Sequence, residues 1–274
     1  MTRFVLMALL CSGCAFFRPT QATIDVDFHA SSGDSAELIS DLSSPRSREC
    51  LLVLLPGIGD RGESFRSNGF VEDARDQGCD FALVDATFEY YLAQEAVPRV
   101  ATDVLYEARR YGYQKIWLVG ISLGGYGAVL TARAHPELVD GVVLIAPMLG
   151  LPPRVDTVVD EVIAAGGLHQ WDNDTLSNYR HDFQEPRLVW TWLRDHAVIP
   201  RDERPLVLGF GAADRFAPRH EVLADALPSS SVFRAEGGHD WDTWRRLWQG
   251  IIAERPWEPA TQTEPRIEVA AKAD

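Results

Sequence analysis

Residues 115–134 read KIWLVGISLGGYGAVLTARA, and the reading of this stretch decides the fold. Ile116–Val119 is a short apolar run of the kind that forms a buried strand, and Tyr126–His135 has helical character. Between them lies Gly120-Ile121-Ser122-Leu123-Gly124. A chain that turns from strand to helix within so few residues leaves no room for bulk beside the turn. Glycines at 120 and 124 let strand and helix approach closely. Ser122 is then expected in a strained backbone conformation, exposed at the C-terminal edge of a sheet. There the first turn of the helix favours developing negative charge.

On either side of this stretch, apolar strands alternate with helical segments. Leu51–Leu55, Phe81–Asp85, Gly141–Ala146, Pro205–Phe210 and Ser231–Arg234 read as strands, most of them continuous apolar runs with both faces covered. Phe65–Gln77, Pro98–Tyr111, Pro218–Leu227 and Trp241–Ala253 read as helices. Thr23–His29 alternates apolar and polar residues like a half-exposed edge strand, and Ala36–Ile39 reads as a short strand among loops. Thr87–Glu95 reads as an aromatic loop with Phe88, Tyr90 and Tyr91. The alternation predicts an α/β fold, a mainly parallel central sheet with helices on both faces.

The rhythm breaks at about 148–204, where Asp, Pro, Arg and Trp are frequent and only Val155–Ala165 and Glu185–His196 have helical character. This stretch reads as an insertion placed over the C-terminal edge of the sheet, where ligands bind in open α/β sheets. Trp171, Tyr179, Trp190 and Trp192 either line an apolar substrate pocket there or pack a small core within the insertion. The organisation expected is therefore a leading segment 1–14, a linker with edge strands over 15–48, the main domain over 49–254 with its insertion, and a disordered tail over 255–274.

Composition narrows the partners. The chain has 274 residues, 46% hydrophobic and 24% charged, which suits one α/β domain with an insertion. Its formal charge is −14, with 40 acidic against 26 basic residues. Such a surface repels phosphate backbones, so no nucleic-acid partner is expected. The sequence has no H-E-x-x-H and no pair of Cys-x-x-Cys motifs, so neither a metal site nor a cofactor is called for.

The N-terminus reads as an export signal. A short basic start, Met1–Arg3, precedes the apolar run Phe4–Leu10, which is too short to span a bilayer. Gly13-Cys14 after that run resembles a bacterial lipoprotein signal, with Cys14 as the lipidated first mature residue; Cys11 stands where that pattern usually has leucine. The expectation is an exported protein, anchored to a membrane through lipid on Cys14 and facing the periplasm or cell surface; an ordinary secretory signal or a disordered start is the alternative. Of the remaining cysteines, Cys50 and Cys79 precede neighbouring strands, and either pair as a disulfide or remain two half-buried thiols.

Three marks carry chemistry. Ser122 is the first. Phe210-Gly-Ala-Ala-Asp214-Arg-Phe-Ala-Pro218 follows one buried strand, and Gly237-Gly238-His239-Asp240-Trp241 follows the last. A serine hydroxyl is a weak nucleophile and needs a base to take its proton. His239 can serve as that base near neutral pH and then protonate the leaving group. Asp214 can fix the imidazole tautomer and stabilise the imidazolium. Asp85 is a rival acid, and Asp240 is too close in sequence to reach the ring of its neighbour.

In this order of serine, acid and histidine, the chain resembles the α/β-hydrolases over about residues 45–254. The resemblance implies the α/β-hydrolase fold with a cap insertion, and a Ser122–His239–Asp214 triad. It also implies an oxyanion hole from the backbone N–H groups of Leu123 and Ile58, although Pro56-Gly57 stands where the family often has His-Gly. The activity implied is that of a serine hydrolase cleaving small carboxylic esters or thioesters without a cofactor. An acyltransferase or peptidase would use the same triad, and a catalytically silent envelope lipoprotein that binds a ligand or partner is the alternative of another class.

Overall fold

Each central strand places alternate residues on opposite faces, and both faces are apolar. In β2 (Arg48–Leu55), Leu51, Val53 and Leu55 join one buried cluster while Leu52 and Leu54 join the other. Ile116 and Leu118 oppose Trp117 and Val119 in the same way in β4 (Tyr113–Ile121), as Val142 and Leu144 oppose Val143 and Ile145 in β5 (Gly141–Ile145). A strand apolar on both sides needs cover on both sides.

The computed structural model describes residues 21, 23–30, 48–151, 153–172, 186–198 and 205–258. Seven strands form one sheet in the order β1-β3-β2-β4-β5-β6-β7, with β1 (Val26–His29), β3 (Asp80–Val84), β6 (Leu206–Gly211) and β7 (Val232–Ala235) completing the set. All pairs are parallel except β1 with β3, which places the expected edge strand antiparallel at one border. The helices are α1 (Gly62–Ser67), α2 (Phe70–Asp73), α3 (Phe88–Leu92) and α4 (Ala96–Arg99, Val100–Leu105 and Tyr106–Arg110 in succession). They continue with α5 (Leu123–Ala134), α6 (Arg154–Ala164), α7 (Pro186–Val198), α8 (Ala217–Ala224) and α9 (Trp241–Glu254). Side chains from α4, α5, α6 and α7 cover one face of the sheet, and those from α1, α2 and α9 cover the other.

Several local expectations are corrected. The helix read over Phe65–Gln77 is broken, because Gly69 adopts φ 81° between α1 and α2. The aromatic loop is partly helical: α3 buries Tyr90 and Tyr91. α4 begins upstream of Pro98 and contains a π-helical stretch, Val100–Leu105. The chain beyond Glu254 does not leave the domain at once. Trp257 is buried, packs near Trp117 and Trp248, and its carbonyl accepts from Lys115 Nζ at 3.0 Å, so residues 255–258 belong to the domain; the rest of the expected tail lies outside the described residues. Cys50 and Cys79 stand side by side at the start of β2 and before β3, with Cα atoms 4.5 Å apart, and form a disulfide. The expected signal, Cys14 and the Ala36–Ile39 strand lie outside the described residues. Among the described residues no helix is long and apolar enough to cross a membrane, and no cluster of His, Cys, Asp and Glu is placed to hold a metal ion.

Candidate active site

The turn between β4 and α5 is as tight as the sequence suggests. Ser122 has φ 51° and ψ −113°, a region that non-glycine residues rarely adopt. A Cβ on Gly120 would overlap the Gly124 backbone, and one on Gly124 would overlap the Leu55 carbonyl. No side chain fits at either position. The strained serine is held through its backbone on both sides. Its N–H donates to Ile145 O at 3.1 Å, and its carbonyl accepts from Met148 N at 2.8 Å and from Gly125 N at 3.0 Å.

The acid and the histidine arrive on two loops that are stitched together. Ala213 N donates to Gly237 O at 2.9 Å, and Ala212 N donates to Ala235 O at 2.8 Å. Gly211 and Gly237 make the approach possible: a Cβ on Gly211 would overlap Gly237 O, and Gly237 takes φ 123°. His239 Nε2 then lies 3.0 Å from Ser122 Oγ, and His239 Nδ1 lies 2.7 Å from Asp214 Oδ2. The other Asp214 oxygen accepts from Phe216 N at 2.8 Å. Burial alone would raise the Asp214 carboxyl. The hydrogen bonds from His239 and the Phe216 amide, with nearby histidine charge, outweigh it and hold the group below its ordinary value. An ionised Asp214 accepting from Nδ1–H leaves Nε2 free to take the serine proton.

Phe216 and Trp244 each meet the imidazole edge to face, with ring centroids 5.1 and 5.0 Å from it. They restrict its rotation without competing for its nitrogens. The sequence reading missed both. Trp244 lies on the buried stripe of α9 with Leu247, Trp248 and Ile251, so helical periodicity could have marked it as buried but not as a neighbour of His239.

Ile58 and Leu123 also come to the site. Leu123 is the first residue of α5, where N–H groups have no intrahelical partner. Ile58 is 51% exposed on the loop after β2, and that loop runs beside the serine: a Cβ on Gly57 would be 3.4 Å from Ser122 Cβ. Asp85 is placed elsewhere. It accepts from the Gly62 amide at 2.9 Å and pairs with Arg61 at the start of α1. Asp240 caps α9 by accepting from Thr243 N at 2.9 Å.

Of the two expectations for the tryptophans, burial favours a core over a pocket wall. Trp190 is fully buried in the main core and donates through Nε1 to Leu149 O at 3.1 Å. Trp171 is buried in the same cluster, beneath the Arg194 guanidinium. Both find these partners inside the insertion, whose apolar residues run on into the cluster that covers the sheet, so their burial fits the packing of a core, the second of the two expectations. Trp192 is half-buried and stacks on His196 with ring centroids 4.6 Å apart. Tyr179 lies outside the described residues.

One buried histidine supports the site from below. His220 Nε2 donates to Pro147 O at 2.8 Å, and the loop it holds is the one whose Met148 N–H binds Ser122. A carbonyl only accepts, so Nε2 carries the proton. Nδ1 has no hydrogen-bond partner among the described residues, and burial holds the ring's pKa below its ordinary value.

Comparison with known proteins agrees with this architecture. No curated protein sequence matches the chain. Among solved structures, it is similar to the fluorophosphonate-binding serine hydrolase F of Staphylococcus aureus, with 14% identity, TM-score 0.56, and 85% of this chain and 99% of that one covered. It is similar to S-formylglutathione hydrolase from the same organism, at 15% identity and TM-score 0.57 over 85% and 92% of the two chains. A monoacylglycerol lipase of Paleococcus ferrophilus shares 18% identity and TM-score 0.53 over 85% and 98%. At such identities the likeness establishes the fold. The family model described as alpha/beta hydrolase fold matches residues 51–204, more than half of the sequence, and the chain belongs to that family.

Proposed function

We propose that the protein is a serine hydrolase that cleaves carboxylic esters or thioesters through an acyl-enzyme. One observation carries the reading: the unbroken hydrogen-bonded line from Ser122 Oγ through His239 to a buried Asp214. Ser122 Oγ attacks the carbonyl carbon as His239 Nε2 takes its proton. The Leu123 and Ile58 N–H groups hold the oxyanion. The carbonyl re-forms, the alcohol or thiol leaves with the proton from Nε2, and Ser122 remains acylated. Water then attacks, giving its proton to Nε2; the acid departs and Ser122 regains the proton. The likeness to solved structures of a serine hydrolase, an esterase and a lipase supports this reaction class.

We also propose export, with lipid on Cys14 as the membrane anchor. The Cys50–Cys79 disulfide suits an oxidising compartment. Mass spectrometry of membrane-extracted protein should find an acylated N-terminal Cys14; an N-terminus elsewhere on a soluble product removes the anchor.

The test of the activity is turnover of a p-nitrophenyl ester and thioester series by wild type and Ser122→Ala. The reading requires turnover that vanishes in the variant while its folded circular-dichroism spectrum stays. Turnover that survives in Ser122→Ala refutes it.

A further inference from the structure

The turn that carries Ile58 also carries a carboxylate. Asp60 N donates to Gly57 O at 3.2 Å, closing the turn, and its side chain folds back over Gly57. A Cβ on Gly57 would lie 3.5 Å from Asp60 Oδ2 and 3.4 Å from Ser122 Cβ. The carboxylate and the nucleophile's side chain thus flank one point, and Gly57 puts no side chain between them. The partners of Asp60 are neutral: the Ser64 hydroxyl and the Trp241 indole. The neighbouring guanidinium, Arg61, is turned to Asp85. Burial raises the Asp60 carboxyl above its ordinary value, while the two hydrogen bonds favour its charged form.

A half-buried charge at this place acts on whatever binds at Ser122, because water screens it poorly there. It attracts a cationic group, repels an anionic one, and works against an oxyanion on the same loop unless the substrate brings a positive charge alongside. We propose that Asp60 sets the charge preference of the Ser122 site, and that its substrates are esters or thioesters bearing an ammonium group close to the scissile carbonyl. The proposal rests on the ester-cleaving reading above and names the substrate class of that same site. Arg215, over the Phe216 ring at 4.8 Å on the loop that carries Asp214, is a cation of opposite effect that the Asp60 variants leave unchanged.

The experiment compares kcat/KM for p-nitrophenyl esters of butyrate, of 4-(trimethylammonio)butyrate and of hemisuccinate. Wild type should prefer the cationic ester to the anionic one by about tenfold or more, the scale of a single close charge in a partly screened site. Asp60→Asn should reduce that ratio at least tenfold, and Asp60→Glu should keep most of it. Glu63→Gln changes the net charge equally on the exposed side of α1 and should leave the ratio within about twofold, as a screened distant charge does. A wild-type ratio of one or less overturns the proposal without any variant. So does an Asp60→Asn ratio equal to wild type, or a Glu63→Gln shift as large as that of Asp60→Asn. If none of the three esters is turned over, the ester-cleaving reading has failed; equal turnover of all three defeats only the role of Asp60.

Discussion

The three loops that carry Ser122, Asp214 and His239 and the insertion after β5 differ in what their residues are for. In the loops, backbone approach decides identity. Gly120, Gly124 and Gly211 are positions where any Cβ would strike backbone, and Gly237 adopts φ 123°. In the insertion, apolar area decides, and several large residues could have met that need. Trp190 is buried in a core, an outcome its sequence left undecided against a pocket wall. Residues chosen by backbone constraint announce their geometry in sequence, whereas residues chosen for bulk announce only that they are buried.

The largest effect that would break this comparison belongs to the loops. Ser122→Ala should lower kcat by about 10⁴- to 10⁶-fold, with little change in melting temperature. Asp214→Asn should cost up to about 10⁴-fold. Asp85→Asn should instead leave kcat near wild type and lower stability, since Asp85 holds Arg61 and the Gly62 amide. Steady-state kinetics beside thermal melts of all three variants reads both quantities. If Asp85→Asn loses activity and Asp214→Asn does not, the acid is misassigned.

Gly124→Ala should prevent folding of the elbow, because the new methyl meets the Leu55 carbonyl, which is backbone and cannot rotate away. Soluble, fully active Gly124→Ala would show that the loop glycines are not dictated by backbone contact. In the insertion, Trp190→Ala should cost about 3–5 kcal/mol by chemical denaturation, with the ester chain-length profile unchanged. Trp192→Ala, at a half-buried position, should cost less. A shifted profile in Trp190→Ala at wild-type stability would return this residue to the pocket.

The smallest effect concerns pH. His220 is buried with its folded pKa depressed, so in acid the unfolded chain binds a proton that the folded chain resists. Its contribution to stability is present above its ordinary value and is lost as pH falls below about 6.5, down to the folded value. His220→Gln should flatten that part of the stability profile. An unchanged slope would mean that His220 takes no part in acid sensitivity.

The fold was largely legible because each strand from β2 to β6 is a continuous apolar run and each crossover carries a helical period. Ser122, Asp214 and His239 were legible because each follows a strand beside glycine, the first two after apolar runs and His239 after the edge strand β7. What escaped the sequence depends on chain direction and packing. Gly69 breaks a periodic helix by taking φ 81°, which periodicity does not record. Trp257 looks like part of a polar tail until Trp117 and Trp248 are seen beside it. The Cys50–Cys79 bond needed the β2–β3 register, and the fold-back of Asp60 needed the turn at Gly57.

The central claim, that Ser122 is an activated nucleophile, is tested most directly by treating the folded protein with a fluorophosphonate and locating the adduct by peptide mass mapping. Fluoride leaves as Ser122 Oγ bonds to phosphorus, so no ester substrate need be known. The account predicts one stoichiometric adduct on Ser122 in wild type, strongly slowed labelling in His239→Ala, and none at that peptide in Ser122→Ala. A folded wild-type protein that takes up no label, or takes it up on another residue, would contradict the account.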